Sequence, residues 1–145
     1  MAVKTKHPEY LEQAETMLHV PDYFHYLLTG KKTCEYTEAT TGQLVNAETK
    51  DWDYELIDKL GYPRKMFQKL IMPGTSVGHF TEEVKAEVGF DVEVVAPATH
   101  DTGSAVLAVP ANDDDFIYIS SGTWSLMGIE REKADCSKKS CEMNF

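Results

Sequence analysis

The sequence predicts an α/β fold, and three observations carry that prediction. An apolar run at 92–96 has the pattern of a strand, and a polar junction at 99–105 leads from it into a short helix. Two further strands, at 116–119 and 124–129, flank a polar turn. Helical spacing dominates the residues before this region. Strands that alternate with helices are typical of α/β proteins.

The first part of the chain is predicted to be helical. Apolar residues at turn spacing predict a helix over residues 8–18. A second helix is predicted to begin at Pro21 and to end at Gly30, since proline is favoured in the first turn of a helix and glycine just after the last. An apolar stripe on this helix favours core packing over ligand binding. It consists of Tyr23, Tyr26 and Leu27.

The next helices are predicted from caps and breakers. Thr37 or Thr40 is expected to cap a helix that runs through Val45, which leaves Tyr36 in a loop just before it. After it come two helices divided at Gly61, with Trp52 as a core anchor, then a turn, a short strand and an acidic helix or loop. Their predicted ranges are 50–70 for the two helices, 72–74, 75–80 and 81–88.

Asp101 lies in the junction between the predicted strand at 92–96 and the helix that follows it. Its carboxylate is therefore expected at the carboxyl edge of a sheet, where open α/β sheets bind ligands, and beside helix amides. The four residues after it are all small, which leaves room for a ligand. An aspartate just ahead of a helix can equally be an N-cap that accepts amide hydrogens.

The turn at 120–123 presents backbone amides and three hydroxyls at one point. Such a concavity of donors favours anions such as phosphate, although Ser-Gly turns also simply close hairpins.

Just upstream, a proline, an asparagine and three aspartates at 110–115 indicate a boundary between two domains.

Composition excludes several classes of protein. With 14 basic and 24 acidic residues, the net charge of −10 disfavours nucleic acid as a partner, because an acidic surface repels phosphate backbones. A membrane is also disfavoured, since no apolar run approaches the roughly 20 residues of a spanning helix. We predict a soluble protein of the cytoplasm.

The cysteines and histidines do not predict a metal site. The 3 cysteines have neither C-x-x-C spacing nor a nearby histidine pair, so we predict reduced thiols and no disulfide. His19 and His25 are too far apart in sequence to share a helical face at one-turn spacing.

Several stretches resemble the FGGY sugar kinases, in the same order along the chain. They are PDY (21–23), LLTG (27–30), EYTEATTGQL (35–44), DWD (51–53), ATHDTGSA (98–105) and YISSGTWSLMG (118–128). The resemblance implies, in part, the ribonuclease H-like fold of the actin, hexokinase and FGGY superfamily. Because family members are longer two-domain enzymes, it also implies an internal fragment. Residues 1–110 would be the C-terminal part of the first domain, including the catalytic Asp junction, and 111–145 the start of the second, nucleotide-side domain.

The resemblance implies a site on the first domain. Asp101 would be the catalytic base, accepting the proton of a sugar hydroxyl that attacks the γ-phosphate of ATP. His100 and Thr102 would flank the sugar. Tyr36 would be a substrate neighbour by the sugar pocket, although a packing role is the alternative for a lone tyrosine.

The resemblance also implies a nucleotide side. Gly122 and Thr123 would hold the phosphates of ATP, with Mg²⁺ as the accompanying ion. No residue of this chain is expected to bind the metal, because the family's metal-associated aspartate would lie upstream and its adenosine site downstream. The missing N- and C-terminal parts of the same enzyme are therefore expected partners, and the fragment is expected to be inactive alone.

The pattern His100-Asp101-Thr102 differs from the Gly-Asp-Gln type of glycerol and xylulose kinases. It implies a ketose substrate, L-rhamnulose, which would be converted to L-rhamnulose 1-phosphate in rhamnose catabolism. The alternatives are an FGGY kinase for a different ketose or polyol, and a non-catalytic sugar-binding or regulatory module on the same fold. A purely structural domain, in which Asp101 is a cap and the turn closes a hairpin, is a third.

Overall fold

The computed structural model of the chain describes residues 1–113 and 115–144, in which short helices alternate with short strands. The helices are α1 (Ala2–Lys6), α2 (Pro8–Gln13), α3 (Val20–Thr29), α4 (Tyr36–Thr41), α5 (Tyr54–Leu60), α6 (Glu82–Val88), α7 (Asp101–Leu107) and α8 (Lys138–Glu142), with a 3-10 turn at Arg64–Met66. The strands are β1 (Cys34–Glu35), β2 (Val45–Asn46), β3 (Asp51–Trp52), β4 (Leu70–Ile71), β5 (Ser76–His79), β6 (Glu93–Val95), β7 (Tyr118–Ser121) and β8 (Ser125–Gly128).

Within the described residues the strands form four two-stranded sheets. β1 pairs with β4 in parallel, and the pairs β2–β3, β5–β6 and β7–β8 are antiparallel. α7 packs against β7, and this contact brings the hairpin formed by β7 and β8 to α7 and the junction that precedes it.

The hydrophobic core lies between α4, α5 and the short strands around them. Ile57 is fully buried in it, and the ring of Trp52 meets that of Phe67 edge to face, with 5.0 Å between centroids. The indole N–H of Trp52 donates a hydrogen bond to the carbonyl of Gln68 at 2.6 Å. Trp52 is therefore a core anchor, as predicted, although it lies in β3 and not in a helix.

Several predicted elements are confirmed. Gly30 and Gly61 end α3 and α5 in the left-handed conformation, with φ of 72° and 66°. The strand expected at 75–80 is β5, and the acidic segment after it is α6, capped by the Thr81 hydroxyl.

The cysteines are free thiols, and burial raises the pKa of Cys34 to about 12.

Other predicted elements are wrong. The helix expected over 8–18 ends at Gln13, because Ala14 turns into extended backbone and Met17 then pairs with Phe67. Residues 50–70 form β3, α5, a 3-10 turn and β4 instead of two helices. The helix expected from Thr37 or Thr40 through Val45 begins earlier, so Tyr36 is its first residue and not part of a loop, and it ends at Thr41, so that Val45 lies in β2.

The burial predicted for several apolar residues is also wrong. On α3 the two buried side chains are those of Asp22 and His25, whereas Tyr23 and Leu27 are about half exposed. On the hairpin formed by β7 and β8, Ile119 is 67% exposed. Alternation of apolar residues predicts strands well, but burial depends on which layer covers them. None of the helices in the described part of the chain is both long and apolar enough to span a membrane.

Candidate functional site

α7 with its N-cap residue, and the β7–β8 hairpin, line one cavity of about 340 Å³. The first contributes His100, Asp101, Thr102 and Ala105, and the second contributes Ser120, Gly122, Thr123, Trp124 and Leu126. Two stretches that the sequence singles out separately are therefore brought together around one space. We refer to this space as the junction cavity.

Asp101 is the first residue of α7, and its side chain is 98% exposed. One carboxylate oxygen accepts a hydrogen bond from the backbone N–H of Thr102 at 2.6 Å and lies 3.9 Å from Nε2 of His100. The N-cap position of α7 is occupied by His100. The carboxylate therefore faces solvent at the cavity and does not hold the N-cap, which was the structural alternative for this residue.

Glu35 holds the junction from the buried side, and no local signal in the sequence singles it out. Its side chain is fully buried, and its carboxylate accepts hydrogen bonds from both the backbone N–H and the hydroxyl of Thr37. It also accepts them from the backbone N–H of Thr99 at 3.0 Å and from the Thr99 hydroxyl at 2.8 Å. Because Thr99 lies two residues before Asp101, Glu35 fixes the backbone from which the Asp101 side chain extends.

The charge of Glu35 is stabilised by these bonds. Burial raises the pKa of its carboxyl group, but the hydrogen bonds from Thr37 and Thr99 together lower it by more, so that the pKa lies below its usual value. An ionised, buried carboxylate with several donors is a rigid structural element. The same carboxylate caps α4, a position for which Ser, Thr, Asp and Asn are the usual sequence signals.

His100, Thr102 and Tyr36 have different positions relative to the cavity. His100 and Thr102 line it, and the backbone N–H of His100 is held by the Thr37 hydroxyl at 3.2 Å. Tyr36 is partly buried in the first turn of α4, and it is not among the described residues that line the cavity. Its contact with a sugar stays a prediction.

The tip of the hairpin is shorter than predicted. β7 extends through Ser121, so the connection consists of residues 122–124 instead of 120–123. The backbone N–H of Gly122 donates to the carbonyl of Trp124 at 2.8 Å, which closes the tip. A side chain added at Gly122 would meet no atom within 4 Å, so this backbone is open to a ligand. Thr123 lines the cavity with an exposed hydroxyl-bearing side chain.

This arrangement combines an exposed carboxylate with a polar, open hairpin tip, on a fold of alternating helices and strands. A profile of the FGGY family of carbohydrate kinases, N-terminal domain, matches residues 3–108. The chain therefore belongs to the FGGY family of carbohydrate kinases.

Within this family, several rhamnulokinases are similar to the chain. A rhamnulokinase from Halalkalibacterium halodurans is 54% identical over 144 residues, which are 99% of this chain and 31% of that protein. A rhamnulokinase from Oceanobacillus iheyensis is 50% identical and one from Bacteroides thetaiotaomicron 44% identical, each over 99% of this chain and 30% of its own length. The chain thus spans about 30% of the length of these curated relatives.

Solved structures confirm the predicted fold class. A ligand-bound xylulose kinase from Lactobacillus acidophilus superposes with a TM-score of 0.79 and 22% identity, over 95% of this chain and 28% of that one. A carbohydrate kinase from Novosphingobium aromaticivorans gives a TM-score of 0.71 with 25% identity, over 87% and 28%. The chain therefore has part of the actin and hexokinase type of α/β fold that sugar kinases share.

Proposed function

We propose that this chain is the part of an ATP-dependent ketose kinase that carries its catalytic base, and that the substrate is L-rhamnulose, converted to L-rhamnulose 1-phosphate. The observation that supports this most is the junction cavity, where the exposed carboxylate of Asp101 and the hairpin tip with Thr123 border the same space. A sugar kinase needs a base at the sugar hydroxyl and polar groups at the transferred phosphate, a few ångströms apart. The similarity to rhamnulokinases supports the choice of sugar.

In this proposal Asp101 is the general base. Its solvent-exposed carboxylate can accept the proton of the sugar hydroxyl while the oxygen of that hydroxyl forms its bond to the γ-phosphorus. The bond from phosphorus to the bridging oxygen of ADP breaks in the same displacement. His100 and Thr102, which line the cavity beside it, orient the sugar through hydrogen bonds.

Gly122 and Thr123 are proposed to hold the phosphates of ATP. The fit of this group rests on the open backbone at Gly122 and on the hydroxyl of Thr123, since the amide of Gly122 is already bonded to Trp124. Mg²⁺, which accompanies ATP in such kinases, would neutralise phosphate charge there. We assign it no ligand among the described residues.

The proposal also assigns the two parts of the chain to two domains. Residues 1–110 would belong to the first domain and 111–145 would begin the second, so that the junction cavity lies where the domains meet. Closure of the domains over the sugar would exclude water, which otherwise competes as phosphate acceptor. We place the reaction in the cytoplasm, where ATP is available.

The test is a chimeric enzyme. This chain replaces the matching segment of the Halalkalibacterium halodurans rhamnulokinase, and kcat/KM is measured for L-rhamnulose, glycerol and D-xylulose. We expect L-rhamnulose to be preferred by at least about tenfold, the discrimination that one or two substrate contacts supply. A preference for glycerol or D-xylulose would contradict the choice of sugar.

Two controls separate the remaining explanations. A folded chimera that binds L-rhamnulose but transfers no phosphate would favour the non-catalytic sugar-binding module. Residues 1–145 alone are expected to show no ADP formation in a coupled assay, because ATP then has too few contacts to offset its lost freedom of motion. Turnover by this chain alone would contradict the assignment of the remaining ATP contacts to other parts of the enzyme.

A further inference from the structure

Three side chains of different chemistry converge beside the core, and none of them is among the described residues that line the junction cavity. His19 directly precedes α3, Asp22 lies in the first turn of α3, and Cys34 begins β1. One ring nitrogen, one carboxylate oxygen and the thiol sulfur all lie within 4.8 Å of one another. The residues are separated in sequence, so the fold and not a local motif assembles this cluster.

Two atoms of the cluster are buried and lack partners. Nδ1 of His19 and Oδ2 of Asp22 face each other at 3.7 Å, and neither has a hydrogen-bond partner among the described residues. The Asp22 side chain is fully buried, with 0% of its surface exposed. An unsatisfied buried acceptor is costly, and the cost is greater for a charged group. A cation between the two atoms would satisfy both.

The other oxygen of Asp22 is already oriented by the backbone. Oδ1 accepts a hydrogen bond from the N–H of Glu35 at 2.8 Å, which leaves Oδ2 directed at His19. Carboxylates that ligate metals are commonly held in this way by an outer hydrogen bond. Nδ1 of His25, which is also buried and without a partner among the described residues, lies 4.0 Å from Oδ1.

We infer that His19, Asp22 and Cys34 bind a Zn²⁺ ion that ties the start of α3 to β1, with a water molecule as the fourth ligand. A nitrogen, an oxygen and a sulfur donor together suit Zn²⁺, whereas Mg²⁺ and Ca²⁺ prefer oxygen alone. Zn²⁺ at its usual bond lengths of about 2.0–2.3 Å requires tetrahedral donors roughly 3.3–3.8 Å apart. A nitrogen and an oxygen donor lie at the short end of this range, so the His19–Asp22 distance of 3.7 Å must shorten slightly, and the sulfur, which lies within 4.8 Å of both atoms, must move closer as well.

Zinc binds Cys34 as the thiolate and His19 through an Nδ1 that carries no proton, so both groups give up any proton held on the ligating atom. The Cys34 sulfur donates a long hydrogen bond to the carbonyl of Met17, at 3.7 Å. On binding, the sulfur forms its bond to zinc and releases its proton to solvent. No oxidation or reduction is involved. The ion would stabilise the fold independently of phosphate transfer, so this inference does not depend on the proposed function.

The test uses Co²⁺ as a spectroscopic substitute for Zn²⁺ in residues 1–145. We expect one equivalent of Co²⁺ to produce a sulfur-to-cobalt charge-transfer band in the near ultraviolet together with intense visible bands of tetrahedral cobalt, and Zn²⁺ to displace it. Cys34→Ser should abolish the charge-transfer band. The matched control is Cys136→Ser, which changes an exposed cysteine and should leave the charge-transfer band in place.

A second readout guards against a variant that does not fold. Zn²⁺ should raise the Tm of the unaltered chain and leave that of His19→Gln unchanged, because an ion that binds only the folded state stabilises it. Absence of the band and of the Tm shift in the unaltered chain would overturn the inference and leave a buried histidine–aspartate pair. A band that survives Cys34→Ser but is lost in Cys136→Ser would overturn it as well, since the sulfur would then be the exposed one.

Discussion

Glu35 and Asp101 are two carboxylates at the same junction, and the structure holds them in opposite ways. Glu35 is fully buried and accepts hydrogen bonds from the backbone and the hydroxyl of both Thr37 and Thr99. Asp101 is 98% exposed and bonds to the backbone of the residue after it. The buried carboxylate fixes the chain, and the exposed one borders the cavity.

The difference has a chemical consequence. Hydrogen bonds to a carboxylate stabilise its anion, so Glu35, whose pKa lies below its usual value, is a poor proton acceptor. Asp101 has open lone pairs beside the cavity and is sterically available to a substrate. The comparison therefore predicts that changes at Asp101 affect the rate of phosphate transfer, and that changes at Glu35 affect the stability of the fold.

The largest effect is expected from Asp101→Asn in the chimeric enzyme. Asparagine keeps the shape and can still accept the hydrogen bond from the N–H of Thr102, but it is not a base. We expect kcat to fall by about 10²-fold or more, the range of general-base catalysis, while Tm and the affinity for the sugar change little. Steady-state kinetics measure kcat and KM for the sugar, and thermal denaturation measures Tm. A kcat close to that of the unaltered chimera would contradict the role of Asp101.

Glu35→Gln should show the opposite behaviour. The amide keeps the volume of the side chain but replaces one acceptor oxygen with an NH₂ donor. This donor then faces the N–H groups and hydroxyls that donate hydrogen bonds to Glu35 in the unaltered chain. We expect the free energy of unfolding of residues 1–145 to fall by about 1–3 kcal/mol, measured by urea denaturation.

The control for Glu35→Gln is the same substitution at an exposed glutamate. Glu48→Gln should change the free energy of unfolding by less than about 0.5 kcal/mol, as is usual for surface positions. Equal effects at the two glutamates would mean that the buried network does not stabilise the fold.

Thr123→Val tests the other side of the cavity. Valine keeps the β-branched shape and removes the hydroxyl that we propose for the ATP phosphates. In the chimeric enzyme we expect KM for ATP to rise by roughly tenfold, with a smaller change in KM for L-rhamnulose, because a phosphate donor is lost. A parallel rise in both constants would indicate a general defect in the fold.

Local signals in the sequence account for much of the secondary structure. The glycines that end α3 and α5, the strand β5 and the hairpin at 118–128 follow from turn chemistry and alternation, which involve neighbouring residues only. The family resemblance added the pairing of Asp101 with the hairpin tip. Glu35 could not be found in this way, because its partner Thr99 is 64 residues away.

Burial was the least predictable property, for a physical reason. The sequence shows an apolar stripe on α3, yet the chain buries Asp22 and His25 on that helix, because Asp22 supplies an acceptor for the N–H of Glu35 in the adjoining strand β1. A polar residue is buried where a backbone donor needs it. The cluster with His19 and Cys34 results from the same packing and has no spacing signature in the sequence.

The smallest effect, and the most specific, is expected for the coupling between Thr99→Val and Glu35→Gln. Valine removes the hydroxyl that donates to Glu35 at 2.8 Å, but it keeps the backbone N–H that donates to the same oxygen at 3.0 Å. Thr99→Val alone should therefore lower the free energy of unfolding by about 1 kcal/mol, the worth of one hydrogen bond. In the double variant the hydroxyl bond is already lost, so the two effects should not add, and the coupling should be about 0.5–1 kcal/mol. Additive effects would mean that the Thr99 hydroxyl acts elsewhere and that Glu35 does not hold the junction through it.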